Sequence, residues 1–255
     1  MDARSQFDAA FSREAGVTPE DRRRIEHLCS ALPGDARTVL DAGSGPGHVA
    51  RAIAATGRAV SCMDLSPVAV RKVVESGLPA VEAGIDAIPF GPASFDLVLA
   101  CEVLEHLPPW AFDAALRELS RVARRHVLLT VPNRDHLPTL RQACPRCGTA
   151  AVPWGHVRSF RLPDLPRLLP GFDCVRAEVF GPPVPDGFHP FTRVLRAPRA
   201  WTPPLSRGMR CPACGYVEER RAREVVRSLP PHRALLAGLA LAGTLLEAKL
   251  APTCP

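Results

Sequence analysis

Residues 36–66, ARTVLDAGSGPGHVARAIAATGRAVSCMDLS, decide the fold. Thr38–Ala42 is a short apolar run that ends in three closely spaced glycines, and Pro46–Ala55 then reads as a helix closed by Gly57. Arg58–Met63 repeats the strand, and Pro67–Glu75 repeats the helix, again closed by a glycine, Gly77. A strand that breaks at glycine and leaves as a helix, twice in succession, is the sequence form of a βαβ unit. The pattern continues outward. Ala80–Ala83 is a third strand, and Phe95–Cys101 (FDLVLAC) is a continuous apolar run bounded by Gly91-Pro92. Such a run suits a parallel strand buried on both faces. Ala111–Val122 carries apolar residues at helical spacing (Phe112, Ala115, Leu116, Leu119, Val122), and His126–Val131 is the next strand. Upstream, a helix around Asp21–Leu32 is stopped by Pro33-Gly34. Strands and helices alternating at this pitch predict an α/β fold with a doubly wound, Rossmann-like parallel sheet.

The rest of the chain has a different texture. Residues 1–131 hold 9 prolines and residues 132–255 hold 19, together with two Cys-x-x-Cys pairs, so the second half is expected to be loop-rich. We divide the 255 residues into an N-terminal helical segment (1–35) and a core (36–133). An acceptor-side region with the cysteine pairs and later strands of the sheet follows (134–228), and then a C-terminal apolar helix (229–255). The apolar fraction of 46% against 23% charged residues is enough for a real core and excludes disorder as the dominant state. Met1–Arg13 has no apolar stretch of the signal-peptide kind. The longest uncharged apolar run, Ala234–Leu246, would span roughly 20 Å as a helix against the roughly 30 Å of a bilayer core. A cytoplasmic protein without a transmembrane segment is therefore expected. The net charge of +6 comes almost wholly from arginine, the lysines being Lys72 and Lys249 alone. That bias permits an anionic partner without pointing to one.

Asp41-Ala-Gly43-Ser44-Gly45-Pro-Gly47 lies where ligands bind in open α/β sheets, between a strand end and a helix start. The glycines allow a close backbone approach, and the helix start offers unpaired N–H groups. Their spacing departs from the dinucleotide pattern Gly-x-Gly-x-x-Gly. Asp64, at the end of the second strand, either accepts hydrogen bonds from the hydroxyls of a ribose or caps the helix that starts at Ser66-Pro67.

These stretches together resemble class I S-adenosylmethionine-dependent methyltransferases. The resemblance is carried by VLDAGSGPGHVARAI (39–53), VSCMDLSPVAV (60–70), IPFGPASFDLVLACEVLEHLP (88–108) and RVARRHVLLTVPN (121–133). GHVRSFRLPDLPRLLPGFDCVRAEVFG (155–181) resembles a later segment of the same family, and the VLEHL at 103–107 is similar to its small-molecule branch. The resemblance implies that Gly43, Ser44, Gly45 and Gly47 cradle the methionine part of the cofactor, with Asp41 at its amino group. It implies that Asp64 holds the ribose and that Leu65 packs on the adenine. The adenine amino group would meet Asp86 or the backbone at Ile85, because the usual acidic position holds Gly84-Ile85.

Methyl transfer from a sulfonium is an in-line displacement in which alignment does most of the work, and a base is needed only where the acceptor must lose a proton. Cys101, Glu102, Glu105 and His106 follow the fourth strand at the ligand-binding edge. His106 is the first candidate base, by its ordinary pKa, and His156 the second, while Cys101 and Glu102 are placed beside the cofactor. The bland alternative for His106 is a packing or capping role at the helix that begins near Pro108. Pro132-Asn133 lacks the Asn-Pro-Pro-Tyr order of amino-methylating relatives.

Cys144-Pro-Arg-Cys147-Gly148 and Cys211-Pro-Ala-Cys214-Gly215 are near copies of one another. Each puts two thiolates on one tight turn, and two such turns complete a four-sulfur tetrahedral site that favours structural zinc. The expectation that follows is a methyltransferase acting on a small-molecule or lipid- or glycan-linked acceptor, as a monomer or homodimer. Two alternatives stand beside it. One is an RNA methyltransferase that grips nucleic acid through the zinc module, Arg22-Arg23-Arg24 and Arg220-Arg221; the other is a non-catalytic zinc-dependent binding module.

Overall fold

Along Phe95–Cys101 the side chains of Leu97 and Leu99 enter one apolar cluster and those of Val98 and Ala100 enter another. That alternation is the period of a strand buried on both faces. A computed structural model of the chain describes residues 3–12, 16–133, 137, 141–152 and 155–181. Around the second cysteine pair it describes residues 205, 211, 213–217 and 219. The chain divides into two units: residues 2–135 with 156–180, and residues 136–155 with 181–255 and Met1.

The first unit is an α/β fold. In chain order it holds α1 (Ala3–Phe11), α2 (Pro19–Ser30), β1 (Thr38–Ala42), α3 (His48–Ala54), β2 (Ala59–Asp64) and α4 (Pro67–Glu75). These are followed by β3 (Ala80–Glu82), β4 (Phe95–Cys101), α5 (Pro109–Val122) and β5 (Ala123–Thr130). All pairings are parallel and the strand order is β3-β2-β1-β4-β5. The order in which strands are added reverses between β1 and β4, so the carboxyl ends of β1, β2 and β4 open the crevice in which such sheets take ligands.

Both faces are covered. On one, Phe112, Ala115, Leu116 and Leu119 of α5 pack with Leu40, Met63, Val98 and Ala100. On the other, Leu28 of α2, Ala50 and Ile53 of α3 and Val73 of α4 pack with Val39, Val60, Leu97 and Leu99. Each fully buried Leu or Val stabilises the fold by roughly 1.5–3 kcal/mol relative to exposure. Local signals agree with the packing. Thr18 and Asp21 cap α2 reciprocally, Thr18 Oγ1 accepting the Asp21 N–H at 3.1 Å and Asp21 Oδ2 accepting the Thr18 N–H at 3.2 Å. β5 begins at Ala123, three residues earlier than the sequence reading, because α5 hands over to it without a turn.

The region 134–228 was expected to add later strands to the sheet. Among the described residues it adds a single parallel bridge, Asn133 with Phe160, while Leu162–Arg167 is a 3₁₀ turn. In the second unit, β6 (Gln142–Ala143) pairs antiparallel with β7 (Ala150–Ala151) as a separate two-stranded ribbon. No described helix is long and apolar enough to cross a membrane. The expected C-terminal apolar helix and Arg220-Arg221 lie outside the described residues.

Candidate functional site

Asp41 stands near the end of the central strand, 1% exposed, and its Oδ2 has no hydrogen-bond partner among the described residues. Burial, and then the neighbouring Asp64, push its carboxyl up to about 7. A buried acceptor without a donor is costly unless a ligand supplies one. The glycine turn begins two residues later. Gly43, Gly45 and Gly47 all have positive φ (84°, 52° and 79°), which glycine adopts without strain. Gly43 also lies so close to Val103 that a Cβ there would sit 2.4 Å from Val103 Cγ2. Ser44 is buried beside it.

Asp64 is turned into this loop. Its Oδ2 accepts the Gly45 N–H and its Oδ1 accepts the Ser66 N–H, both at 2.8 Å. The cap of α4 is Ser66, whose hydroxyl accepts the Ala69 N–H at 3.2 Å, so Asp64 is not the capping residue. Burial raises the Asp64 pKa, and the backbone N–H groups of Ser66, Gly45 and Leu65 oppose the shift. Each carboxylate oxygen keeps a second lone pair, enough to take the two hydroxyls of a diol. Leu65, the next residue, is 38% exposed, and Ile85 is buried. Asp86 is half-buried and folds back on Gly84, its Oδ1 lying 2.5 Å from where a Cβ would stand.

After β4 the groups separate by role. Cys101 packs with the second cluster, and burial pushes its thiol far up, so it stays protonated. Glu102 has φ +57°, an unusual conformation for a side-chain-bearing residue. Its N–H donates to the Thr130 carbonyl, and its carboxylate accepts the Thr130 hydroxyl at 2.9 Å and faces Arg24 at 3.5 Å. Arg23 and Arg24 also pair with Glu20 and Asp21 on their own helix. His106 ends a 3₁₀ turn, Leu104–His106, and α5 is capped without it. The structure brings the two candidate bases together: the rings of His106 and His156 lie 4.8 Å apart, edge to face.

Sequence reasoning put α1 in a helical segment but did not place it over the glycine turn. Phe7 stands edge-on to His106 at 5.2 Å, and Phe11 lies where a Cβ on Gly45 would touch it at 3.4 Å. Asp8 accepts the Ser66 hydroxyl and Arg4 pairs with Glu82. The only signal for this cover in the sequence is Phe7 and Phe11 at helical i, i+4 spacing.

In the second unit the two knuckles have one geometry. Gly148 N–H donates to the Cys144 carbonyl at 2.9 Å and Gly215 N–H to the Cys211 carbonyl at 3.0 Å, both glycines having positive φ. The sulfurs converge: Cys144 Sγ lies 3.7 Å from Cys214 Sγ, and Cys147 Sγ lies 3.7 Å from Cys211 Sγ.

A parallel sheet with a glycine turn after its central strand and a buried carboxylate at the end of the next strand is the arrangement by which open α/β sheets hold a nucleoside-bearing ligand. Residues 40–131 match the family described as methyltransferase domain. A Mycobacterium tuberculosis protein named a probable S-adenosylmethionine-dependent methyltransferase is 41% identical over 117 residues, covering 44% of this chain and 40% of the relative. Malonyl-[acyl-carrier protein] O-methyltransferase of Enterobacter lignolyticus is 36% identical over 147 residues, covering 53% of this chain and 57% of the relative. The chain thus spans about half the length of the curated relatives it matches. Among solved structures, Burkholderia thailandensis 1,6-didemethyltoxoflavin-N1-methyltransferase is similar at 23% identity and a TM-score of 0.42, covering 62% of this chain and 67% of that one.

Proposed function

We propose that this protein transfers a methyl group from S-adenosylmethionine to the oxygen of a small-molecule or lipid- or glycan-linked acceptor. The observation that carries the reading is Asp41 Oδ2, a buried carboxylate oxygen lacking a donor at the mouth of a glycine turn. A cationic amino group satisfies it. In this reading Asp64 accepts the ribose hydroxyls while it still holds the loop through Gly45, and Leu65 and Ile85 flank the adenine. Asp86 is placed at the adenine amino group, and Ser44, Gly47, Cys101 and Glu102 complete the walls. Once bound, the cofactor supplies an activated methyl on sulfur, so the protein's task is alignment and exclusion of water. The Phe7 and Phe11 rings of α1 serve the exclusion. His106 and His156 are assigned to the acceptor side, where a hydroxyl would need to lose a proton. The O-methylation named for the Enterobacter relative supports an oxygen acceptor.

In the second unit we assign Cys144, Cys147, Cys211 and Cys214 to one structural zinc ion. Tetrahedral zinc with bonds of about 2.3 Å separates its sulfurs by about 3.8 Å, and the two measured separations are 3.7 Å. All four positions are protein sulfur, which leaves the ion no open position for chemistry.

The experiment that tests the activity is incubation of the protein and methyl-labelled S-adenosylmethionine with a fractionated cell extract, with Asp64→Ala as control. Label in the small-molecule or lipid fraction that disappears with Asp64→Ala is the expected result. Label confined to RNA or protein would contradict the acceptor class.

A further inference from the structure

Three metal-ligating side chains converge that serve neither the cofactor nor the cysteine cluster. We propose that Glu105, His106 and His156 form a second metal site, for a divalent transition-metal cation bound by two imidazoles and one carboxylate. One ligand atom from each of the three lies within 4.8 Å of the others. Glu105 Oε1 and His106 Nε2 are 3.9 Å apart, and the two imidazoles meet at 76° rather than stacking. Donor atoms around a tetrahedral ion with bonds of about 2.0–2.1 Å lie about 3.4 Å apart. Small side-chain rotations close the difference.

The backbone builds this arrangement. Glu105 and His106 are adjacent on the 3₁₀ turn after β4, and the Glu105 carbonyl accepts N–H donors from Val157 at 2.8 Å and Arg158 at 3.2 Å. Those two bonds fix the segment that carries His156 against the turn. The Arg158 guanidinium lies 3.6 Å over the Phe112 ring. Glu105 is 1% exposed, a depth at which a carboxylate requires a cationic or hydrogen-bonding environment. Two histidines and one carboxylate suit zinc, cobalt or ferrous iron and, unlike the four-cysteine cluster, leave coordination positions open.

The cation's role rests on the methyl-transfer reading; its binding does not. An acceptor hydroxyl on an open position would release its proton to solvent more readily. Its oxygen would then form the new O–C bond as the C–S bond breaks and the electron pair returns to sulfur.

Cobalt(II) binding to the full chain separates the two sites, because only the cysteine site gives thiolate-to-metal charge-transfer bands. Equilibrium dialysis should find two cobalt ions per wild-type chain. His156→Ala and Glu105→Gln should each hold one, with the thiolate bands intact and so with the second unit folded. Cys144→Ser/Cys211→Ser should lose those bands. One cobalt per wild-type chain, all of it thiolate-bound, would overturn the proposal. So would two cobalt ions retained in both His156→Ala and Glu105→Gln.

Discussion

The backbone N–H of Gly45 donates to Asp64 Oδ2 across 2.8 Å, joining the turn after β1 to the end of β2. One carboxylate therefore shapes the loop and faces the place where a ribose would lie. Asp64 in turn helps to push up the buried Asp41 carboxyl, whose Oδ2 has no donor among the described residues.

A pH dependence follows from Asp41. Its carboxyl is raised from 3.8 to about 7, so between those values the folded chain binds more protons than the unfolded one. Apo stability should accordingly fall as pH rises from about 4 to about 7 and level off above. Cofactor affinity should move the opposite way, because the ammonium group binds the carboxylate. With an α-amino pKa near 7.8, affinity should rise about sixfold from pH 6 to about pH 7.4 and then decline. Asp41→Asn should remove the acidic limb. Calorimetric titration across this range checks both limbs, and an unchanged acidic limb in Asp41→Asn would refute the assignment.

The glycines should differ in cost. Gly43→Ala meets both a positive φ and Val103 Cγ2 at 2.4 Å, whereas Gly77→Ala meets only the positive φ and open space. Chemical denaturation should show a loss of about 1–2 kcal/mol for Gly77→Ala. Gly43→Ala should lose about 2–4 kcal/mol, because overpacking adds to the strain. Equal losses would mean that Val103 moves aside freely.

Much of the first unit was legible from residue pattern alone. Pro67–Glu75 and Phe95–Cys101 have the bounds expected of them, since a serine–proline start and a glycine stop mark the helix and an unbroken apolar run marks the strand. The α1 cover was not legible. Phe7 and Phe11 make a short pair whose meaning depends on Gly45 and His106, distant in sequence. The pairing of His106 with His156 was hidden for the same reason. It depends on two backbone hydrogen bonds to the Glu105 carbonyl, and a carbonyl carries no sequence signature.

The cysteine site should behave as a separate structural element. Thiol modification with a chromophoric chelator present should release one zinc per chain, and Cys144→Ser should abolish that release. Structural zinc of this kind contributes about 10–16 kcal/mol of binding free energy to its fold. The residues assigned to the cofactor all belong to the other unit, so affinity for S-adenosylhomocysteine should change less than twofold in Cys144→Ser. A tenfold loss would show that the zinc supports the cofactor site as well.

The most direct test of the account is calorimetric titration of the full chain with S-adenosylhomocysteine at pH 7.4, wild type against Asp64→Ala. Asp64 would give two charge-assisted hydrogen bonds, each worth about 1.5–3 kcal/mol. The account predicts one site per chain in the wild type and an affinity at least about 100-fold weaker in Asp64→Ala, with Asp64→Asn between them. No binding by the wild type, or equal binding by Asp64→Ala, would contradict it.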